Sequence, residues 1–149
     1  MEKQPNILII DAQGGGIGRL LVSAIRQELP DAALTAVGGN SAATAAMLKA
    51  GADQGATGEN AAVVACRRAD VILGPIGIVI ADAMLGEITP KMAAAVAQSG
   101  AKRILIPFEH CDNVVVGVRE VGMKALVREA VAVLLETVKS GAGNCPDPS

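Results

Sequence analysis

Short apolar runs alternate with segments of helical period along most of the chain. The runs Asn6–Ile10, Ala33–Val37 and Val71–Gly74 are rich in Ile, Val and Leu, as is the run Arg103–Phe108. Unbroken apolar runs of this length are typical of strands buried on both faces of a parallel sheet. The stretch ADQGA, at 52–56, predicts either a short, weak strand or an extended crossing.

Helical patterns follow these runs. In the first pattern, apolar residues recur at every fourth position from Ile17 to Leu29, which predicts a buried helix face. Helices are predicted over 16–29, 41–50, from TGEN (57–60) to about 68, 78–85, 90–99 and 123–139. The residues that suit helix caps are Ser41, Thr57 and Thr89 at N-termini and Gly51 at a C-terminus.

This alternation predicts an α/β fold, as a single Rossmann-like domain of three layers over residues 1–140 with a mainly parallel sheet. The segment EHCDN is too short for a parallel crossover. The valine run Val114–Val118 is therefore expected to return as an antiparallel hairpin partner near the C-terminus. Residues 141–149, GAGNCPDPS, are rich in Gly and Pro and predict a flexible tail.

Composition narrows the class of partner. The net charge is −2 and Trp and Tyr are absent, so the chain lacks the basic surface and stacking aromatics of general nucleic-acid binders. Its longest apolar stretch, VILGPIGIVIA, is too short to span a bilayer, and membrane binding is not expected. Three cysteines in no disulfide or zinc spacing indicate a reduced, cytoplasmic protein, and no metal is expected.

The segment NILIIDAQGGGIGRLL joins the first strand to the first helix through a cluster of glycines. Glycines in such a loop allow tight turns and the close approach of a ligand to the main chain. The helix that follows presents unpaired N–H groups and the positive end of its dipole, so a phosphate is expected here. The residues of the predicted phosphate cradle are Gly14, Gly15, Gly16, Ile17, Gly18 and Arg19.

Comparison with known phosphate-binding motifs narrows the class of ligand that the loop is expected to bind. A P-loop requires Lys and then Ser or Thr after its last glycine, whereas Arg19 and Leu20 follow Gly18 here. The G-x-G-x-x-G fingerprint fails because Arg19 stands at its third glycine. The loop resembles the G-x-x-x-G-I-G form of short-chain dehydrogenases at Gly16 and Gly18, although Ala12 replaces the first glycine. A nucleotide-type ligand is therefore expected, with NAD(P) as one candidate.

Other candidate ligand groups follow the remaining strands, at what is expected to be the same edge of the sheet. They are Gly38, Asn40, Ser41, Thr57, Glu59, Asn60, Gly74 and Gly77. The second strand ends without the Asp or Glu that binds the ribose of NAD, so Asn40 and Ser41 are candidates for contacts to a ribose or a 2′-phosphate. Thr57 and Glu59 are also explained as a helix cap and its dipole partner. The absence of Tyr excludes the proton donor of short-chain dehydrogenases.

Three further polar residues have open roles. Asp11 either accepts N–H bonds from the glycine loop or points toward a ribose. Asp82, within an apolar run, is either paired in the core or exposed. His110 belongs to FEHCDN, which a polar hairpin turn explains better than catalysis or metal binding does.

The motifs DAQGGGIG, ATGEN, GPIG, MLGEITPKM and ILIP occur in this order between about Asn6 and Val118. Together they resemble a family of small bacterial proteins known only as a domain of unknown function. The resemblance implies a Rossmann-like domain and brings no established activity or catalytic residue.

Three hypotheses for function follow from these patterns. The first is a protein that binds a nucleotide at the carboxyl edge of its sheet. The second is an enzyme for a small anionic or phosphorylated substrate, with Glu59, Asp82 or His110 as acid or base. The third is an obligate oligomer without a ligand, in which the glycines serve packing.

The last predicted helix bears on oligomeric state. Its polar stripe, formed by Lys124, Arg128 and Glu136, is narrow, and the rest of its surface is apolar. Such a helix either lies at a homodimer contact or packs deeply within one protomer, and a homo-oligomer is one expectation.

Overall fold

The computed structural model of the chain describes residues 4–107 and 113–141. Within these ranges the chain forms five strands and five α-helices. The strands are β1 (Asn6–Asp11), β2 (Ala33–Gly38), β3 (Gln54–Thr57), β4 (Val71–Pro75) and β5 (Lys102–Ile106). The α-helices are α1 (Gly16–Glu28), α2 (Ser41–Ala50), α3 (Glu59–Arg68), α4 (Pro90–Gln98) and α5 (Met123–Lys139).

The strands form one sheet in the order β3-β2-β1-β4-β5, and every pairing in it is parallel. One core lies between the sheet and α1, α2 and α5, and a second lies between the opposite face and α3 and α4. This three-layer arrangement confirms the predicted Rossmann-like α/β class.

The unbroken apolar run of β1 follows from its place in the middle of the sheet. Ile7 and Ile9 belong to the core under α1, whereas Leu8 and Ile10 belong to the core on the other face. Because successive side chains point to opposite faces, a strand covered on both sides is apolar at every position. β3 lies at the edge of the sheet, and all four of its residues are exposed, which accounts for its weak signal in the sequence.

The predicted antiparallel hairpin is wrong for the described residues. Residues 113–122 contain no strand, and the valines within them project into solvent, with Val114 85% and Val116 93% exposed. Runs of β-branched residues favour strands only where a sheet face is available to cover them, and none covers these. His110, Cys111 and the predicted tail from 142 onward lie outside the described residues.

The predicted helix over 78–85 is also wrong. A short 3₁₀ turn covers Ile76–Val79, and after a bend at Ile80 turns continue from Ala81 to Glu87. Asp82, Met84 and Leu85 all have positive φ, between +57° and +67°, which a right-handed helix does not allow. Ile78 and, in part, Met84 pack in the core that α4 covers, whereas Leu85 is 95% exposed, so the apolar composition of this segment does not follow a helical period.

Two of the four predicted caps are confirmed and two are wrong. The Thr89 side chain accepts from the Met92 N–H at the start of α4, and Gly51, with φ +126°, ends α2. The N-cap of α2 is Asn40 rather than Ser41. Helix α3 begins after Gly58 without a side-chain cap, because the Thr57 hydroxyl is bonded to the hydroxyl of Thr44 instead.

Helix α5 buries one face against α1 and β5 and leaves the other in solvent. Its buried residues are Val127, Ala130, Val131 and Leu134. Val133 remains 46% exposed, so packing within this protomer covers only part of the apolar surface of the helix. No helix in the described ranges combines the length and apolar character needed to cross a membrane.

We expect Gly74→Ala to destabilise the fold. A Cβ at Gly74 would meet the carbonyl oxygen of Ile10 in β1 and would lie 3.1 Å from Cδ1 of Ile78. Overpacking of this kind costs about 1–3 kcal/mol in the free energy of unfolding, which urea denaturation measures. The matched control is Gly100→Ala, because Gly100 has open space at its Cβ position. Equal midpoints for the two variants would contradict the packing role of Gly74.

Candidate functional site

The glycine loop lies where the strand connections reverse direction. From β1 the chain passes through α1 to β2 on one side, and later returns to β4 on the other side of β1. In open parallel sheets this reversal opens a crevice at the carboxyl ends of the central strands, where ligands bind. Residues 12–15 connect β1 to α1 at this point.

Gly14 and Gly16 are not required by the fold of the described residues. Neither has a positive φ, and a Cβ at either position would meet no atom within 4 Å. Within the described ranges, neither main-chain N–H has a hydrogen-bond acceptor. The two glycines therefore leave open space above free amides at the positive end of α1.

Gly15 and Gly18, in contrast, have clear packing roles. Gly15 has a φ of +70°, and a Cβ there would lie 3.0 Å from Cα of Ala43 in α2. A Cβ at Gly18 would lie 2.6 Å from Sδ of Met47 and 2.9 Å from Cβ of Asp11. Of the four glycines in the predicted cradle, Gly14 and Gly16 leave space for a ligand, and binding at the cradle stays a prediction.

Asp11 forms hydrogen bonds to the glycine loop from its buried side. Its buried carboxylate accepts from the Gly18 N–H at 2.7 Å and from the Ala12 N–H at 2.8 Å. This confirms the prediction that Asp11 accepts N–H bonds from the loop. Burial raises the pKa of the Asp11 carboxyl above its ordinary value, although these N–H bonds act to lower it. Nearby Glu87 adds to the increase.

Glu87 joins the loop to the end of β2. The main-chain N–H of Gln13 donates to both carboxylate oxygens of Glu87, at 3.2 Å to Oε1 and 3.1 Å to Oε2. Asn40 Nδ2 donates to Glu87 Oε1 and, at 2.8 Å, to the carbonyl oxygen of Gln13. The Asn40 Oδ1 accepts from the Ala43 N–H at 2.9 Å. These contacts form one polar cluster beside the free amides of Gly14 and Gly16.

No local pattern in the sequence marks Glu87 or Gln13 as a site residue. Glu87 reaches the loop from the connection between β4 and α4, 74 positions beyond Gln13. The signal in the sequence was the motif MLGEITPKM, which contains Glu87 but does not indicate what its side chain contacts.

The predicted groups after β3 lie elsewhere along the edge. Glu59 Oε1 accepts from the Thr89 hydroxyl at 2.7 Å, which links the starts of α3 and α4. The Thr57 hydroxyl lies 2.7 Å from that of Thr44 in α2. Asn60 is exposed at the start of α3. Their use by a ligand stays a prediction.

The other predicted residues divide between packing and solvent. Gly38 and Gly74 have no room for a Cβ, and a Cβ at Gly77 would lie 3.1 Å from Cε of Met84. Arg19 and Ser41 are exposed on the first turns of α1 and α2. Asp82 is exposed, which confirms the second of its two interpretations. In the described part of the chain, no three His, Cys, Asp or Glu side chains are grouped to hold a metal ion.

Residues 6–139 match the family model described as a domain of unknown function (DUF3842), and the chain belongs to that family. No curated protein matches the sequence. The chain is similar to the crystal structure of a dodecameric FMN-dependent Ubix-like decarboxylase from Escherichia coli O157:H7. The TM-score is 0.50 at 18% identity, over 94% of this chain and 98% of that chain. At this identity the likeness shows a shared Rossmann-like fold.

We expect Asp11→Asn to change how stability depends on pH. Because the pKa of Asp11 is raised in the native state, the native protein binds this proton more tightly than the unfolded chain does. The stability that this proton contributes is complete below the unfolded pKa and is lost as pH rises through the native pKa. The unfolding free energy of wild type minus that of the variant should therefore fall as pH rises through this window.

Urea denaturation at a series of pH values measures this difference. The control for removing one negative charge is Asp31→Asn, at an exposed position after α1. A difference between wild type and Asp11→Asn that rises with pH would contradict the prediction.

Proposed function

We propose that this member of the DUF3842 family binds a nucleotide-type ligand at the carboxyl edge of its sheet, with a ligand phosphate on the amides of Gly14 and Gly16. One observation carries the proposal: within the described residues, Gly14 and Gly16 combine open space at their Cβ positions with free amides at the N-terminus of α1. A helix N-terminus with free amides attracts an anion, and a missing Cβ lets it approach.

Asp11 does not compete for the same amides. Its carboxylate lies under the loop and is bonded to Ala12 and Gly18, whereas Gly14 and Gly16 have open space above them. A phosphate would thus approach the start of α1 from solvent while Asp11 supports it from within. The exposed guanidinium of Arg19, in the first turn of α1, supplies the positive charge that a phosphate favours.

The sugar side of the ligand extends toward β2 in this proposal. Asn40 and Glu87 stand there beside Gln13, and Ser41 begins the neighbouring helix. Glu59 and Asn60 lie further along the same edge, after β3. FMN, the cofactor named for the similar decarboxylase, supports a phosphorylated ligand, and NAD(P) stays a candidate. FMN and NAD(P) share a phosphate that the Gly14 and Gly16 amides would bind.

The two other hypotheses gain less support. The packing hypothesis explains Gly15 and Gly18 but not Gly14 and Gly16. For the enzyme hypothesis, Glu59 is engaged with Thr89, and Asp82 lies exposed in the turns before Glu87. We assign no catalytic residue.

We expect Gly16→Val to abolish nucleotide binding in a folded protein. A Cβ at position 16 would meet no atom within 4 Å, so we expect the valine side chain to occupy the open space above the free amides without unfolding the protein. Calorimetric titration with AMP, NAD, NADP, FMN and CoA measures binding, and circular dichroism measures folding. Loss of one charge-assisted hydrogen bond corresponds to roughly 1.5–3 kcal/mol, or at least tenfold in affinity.

The matched control for this experiment is Gly100→Val, which also enters open space but lies before β5 at the opposite edge of the sheet. It should bind as wild type does. Absence of binding to every ligand of the panel by wild type would overturn the proposed function. An unfolded Gly16→Val would support the packing hypothesis instead.

We also propose that the chain forms a homo-oligomer through an apolar surface formed by the valines of 114–118 and Val133. Val114 and Val116 are almost fully exposed, and Val133 presents the uncovered side of α5. The similar decarboxylase is a dodecamer, which supports self-association of this fold.

We expect Val116→Asp to reduce the mass of the oligomer without loss of stability, because a charge at this exposed position opposes apolar contact but disturbs no core. Size-exclusion chromatography with light scattering measures the mass. The control Gln27→Glu adds the same charge on the exposed side of α1. A monomeric wild type, or an unchanged mass in Val116→Asp, would contradict the proposal.

A further inference from the structure

We propose that Glu87 binds the ribose hydroxyls of the ligand, so that the site selects a ribonucleotide with free 2′ and 3′ hydroxyls. This inference rests on the proposed function and concerns the same site. It assigns a specificity role to a side chain from the β4–α4 connection.

The first observation is the position of Glu87 at the end of β2. In this fold a carboxylate at that point accepts hydrogen bonds from the ribose of a dinucleotide. Here the strand runs into Gly38, Gly39 and Asn40, and it supplies no acid. Glu87 fills this place from another element, since a Cβ on Gly39 would lie 3.3 Å from its Oε1.

The second observation is the remaining acceptor capacity of the Glu87 carboxylate. An ionised carboxylate has about four lone-pair positions. Oε1 receives the Asn40 side chain, and the Gln13 N–H is shared between Oε1 and Oε2. Oε2 thus has no donor other than the shared Gln13 N–H within the described residues. The side chain is partly exposed, so that a sugar hydroxyl can reach this oxygen.

The third observation is that the main chain holds Glu87 in place. Ile88, directly after it, is 1% exposed and packed in the core, and its carbonyl accepts from the Asp82 N–H at 2.7 Å. The Glu87 N–H donates to the Met84 carbonyl at 3.2 Å. A carboxylate fixed in this way loses little conformational entropy when it binds a ligand.

The fourth observation is the order of groups along the edge. Gln13, which donates to Glu87, directly precedes Gly14. A phosphate on the Gly14 and Gly16 amides would therefore have the Glu87 carboxylate beside it on the β2 side. In a nucleoside 5′-phosphate the ribose is the group next to the phosphate. A second phosphate at the 2′ position would meet the negative charge of Glu87, so the site should disfavour it.

A calorimetric comparison of closely related ligands tests this assignment on the wild-type protein. The probes are AMP, 2′-deoxy-AMP and 3′-deoxy-AMP, together with NAD and NADP. A hydroxyl bonded to a carboxylate contributes roughly tenfold in affinity, so at least one deoxy nucleotide should bind about tenfold more weakly than AMP. NADP should bind at least about tenfold more weakly than NAD.

The variant Glu87→Gln removes the charge and keeps the shape of the side chain. It should bind AMP more weakly, reduce the difference between AMP and its deoxy analogues, and reduce the preference for NAD over NADP. Glu28→Gln is the control, because Glu28 is an exposed acid at the far end of α1. It should leave all five affinities unchanged. Thermal unfolding monitors the folding of both variants.

Three results would overturn the assignment while the proposed function stands. In the first, wild type binds AMP and both deoxy analogues equally, and Gly16→Val abolishes their binding. In the second, Glu87→Gln binds AMP more tightly than wild type, which would make Glu87 a competitor of the ligand. In the third, wild type binds FMN alone, which has no ribose ring. Absence of any binding would instead overturn the proposed function, and this inference with it.

Discussion

One buried carboxylate shapes the point where β1 gives way to α1. Asp11 is the last residue of the central strand, in register with Gly38 of β2, and its side chain ties the amides at both ends of the glycine loop. The intervening segment is therefore held in an open curve by the protein itself. Because the hydrogen bonds of Asp11 hold this curve, an anion bound there would require little further ordering of the loop.

The glycines of this sheet edge serve two different purposes. At Gly15, Gly18 and Gly74 a side chain would collide with a neighbouring helix or strand, so these positions allow the layers to approach closely. At Gly14 and Gly16 a side chain would enter solvent. Gly100 has the same open space, but among the described residues only at Gly14 and Gly16 does that space lie above free amides at the N-terminus of α1, where an anion is favoured. The sequence shows only a cluster of glycines, whereas the three-dimensional structure distinguishes those required for packing from those that are not.

The fold could be predicted because its determinants are local. Strands β1, β2 and β4 were predicted from short apolar runs, and α1 from apolar residues at every fourth position. Both patterns lie within a few residues of sequence. The bounds of α5 also agree with its pattern. The turns at 81–87 were missed because nothing in the sequence marks the positive φ of Asp82, Met84 and Leu85, none of which is a glycine. The hairpin was wrongly predicted because valine favours a strand only where other elements cover it.

The site was only partly predictable for the same reason. Glycines, Asn40 and Asp11 stand next to the strands that position them, so their location follows from the strand order. Glu87, in the connection between β4 and α4, accepts from Gln13 in the loop after β1. The Thr57 hydroxyl is bonded to that of Thr44 and does not cap α3. Such partnerships join residues far apart in the chain, and no spacing rule in the sequence describes them.

The central position of β1 in the sheet has a consequence for folding during synthesis. β1 pairs on one side with β2, which follows soon after it, but on the other side with β4, where Asn6 and Asp70 are bonded across 64 positions. The edge of β1 that faces β4 therefore has no partner until residues 71–75 have been synthesised. If β1 and β2 pair before then, this unpaired strand edge is a site where other chains can add.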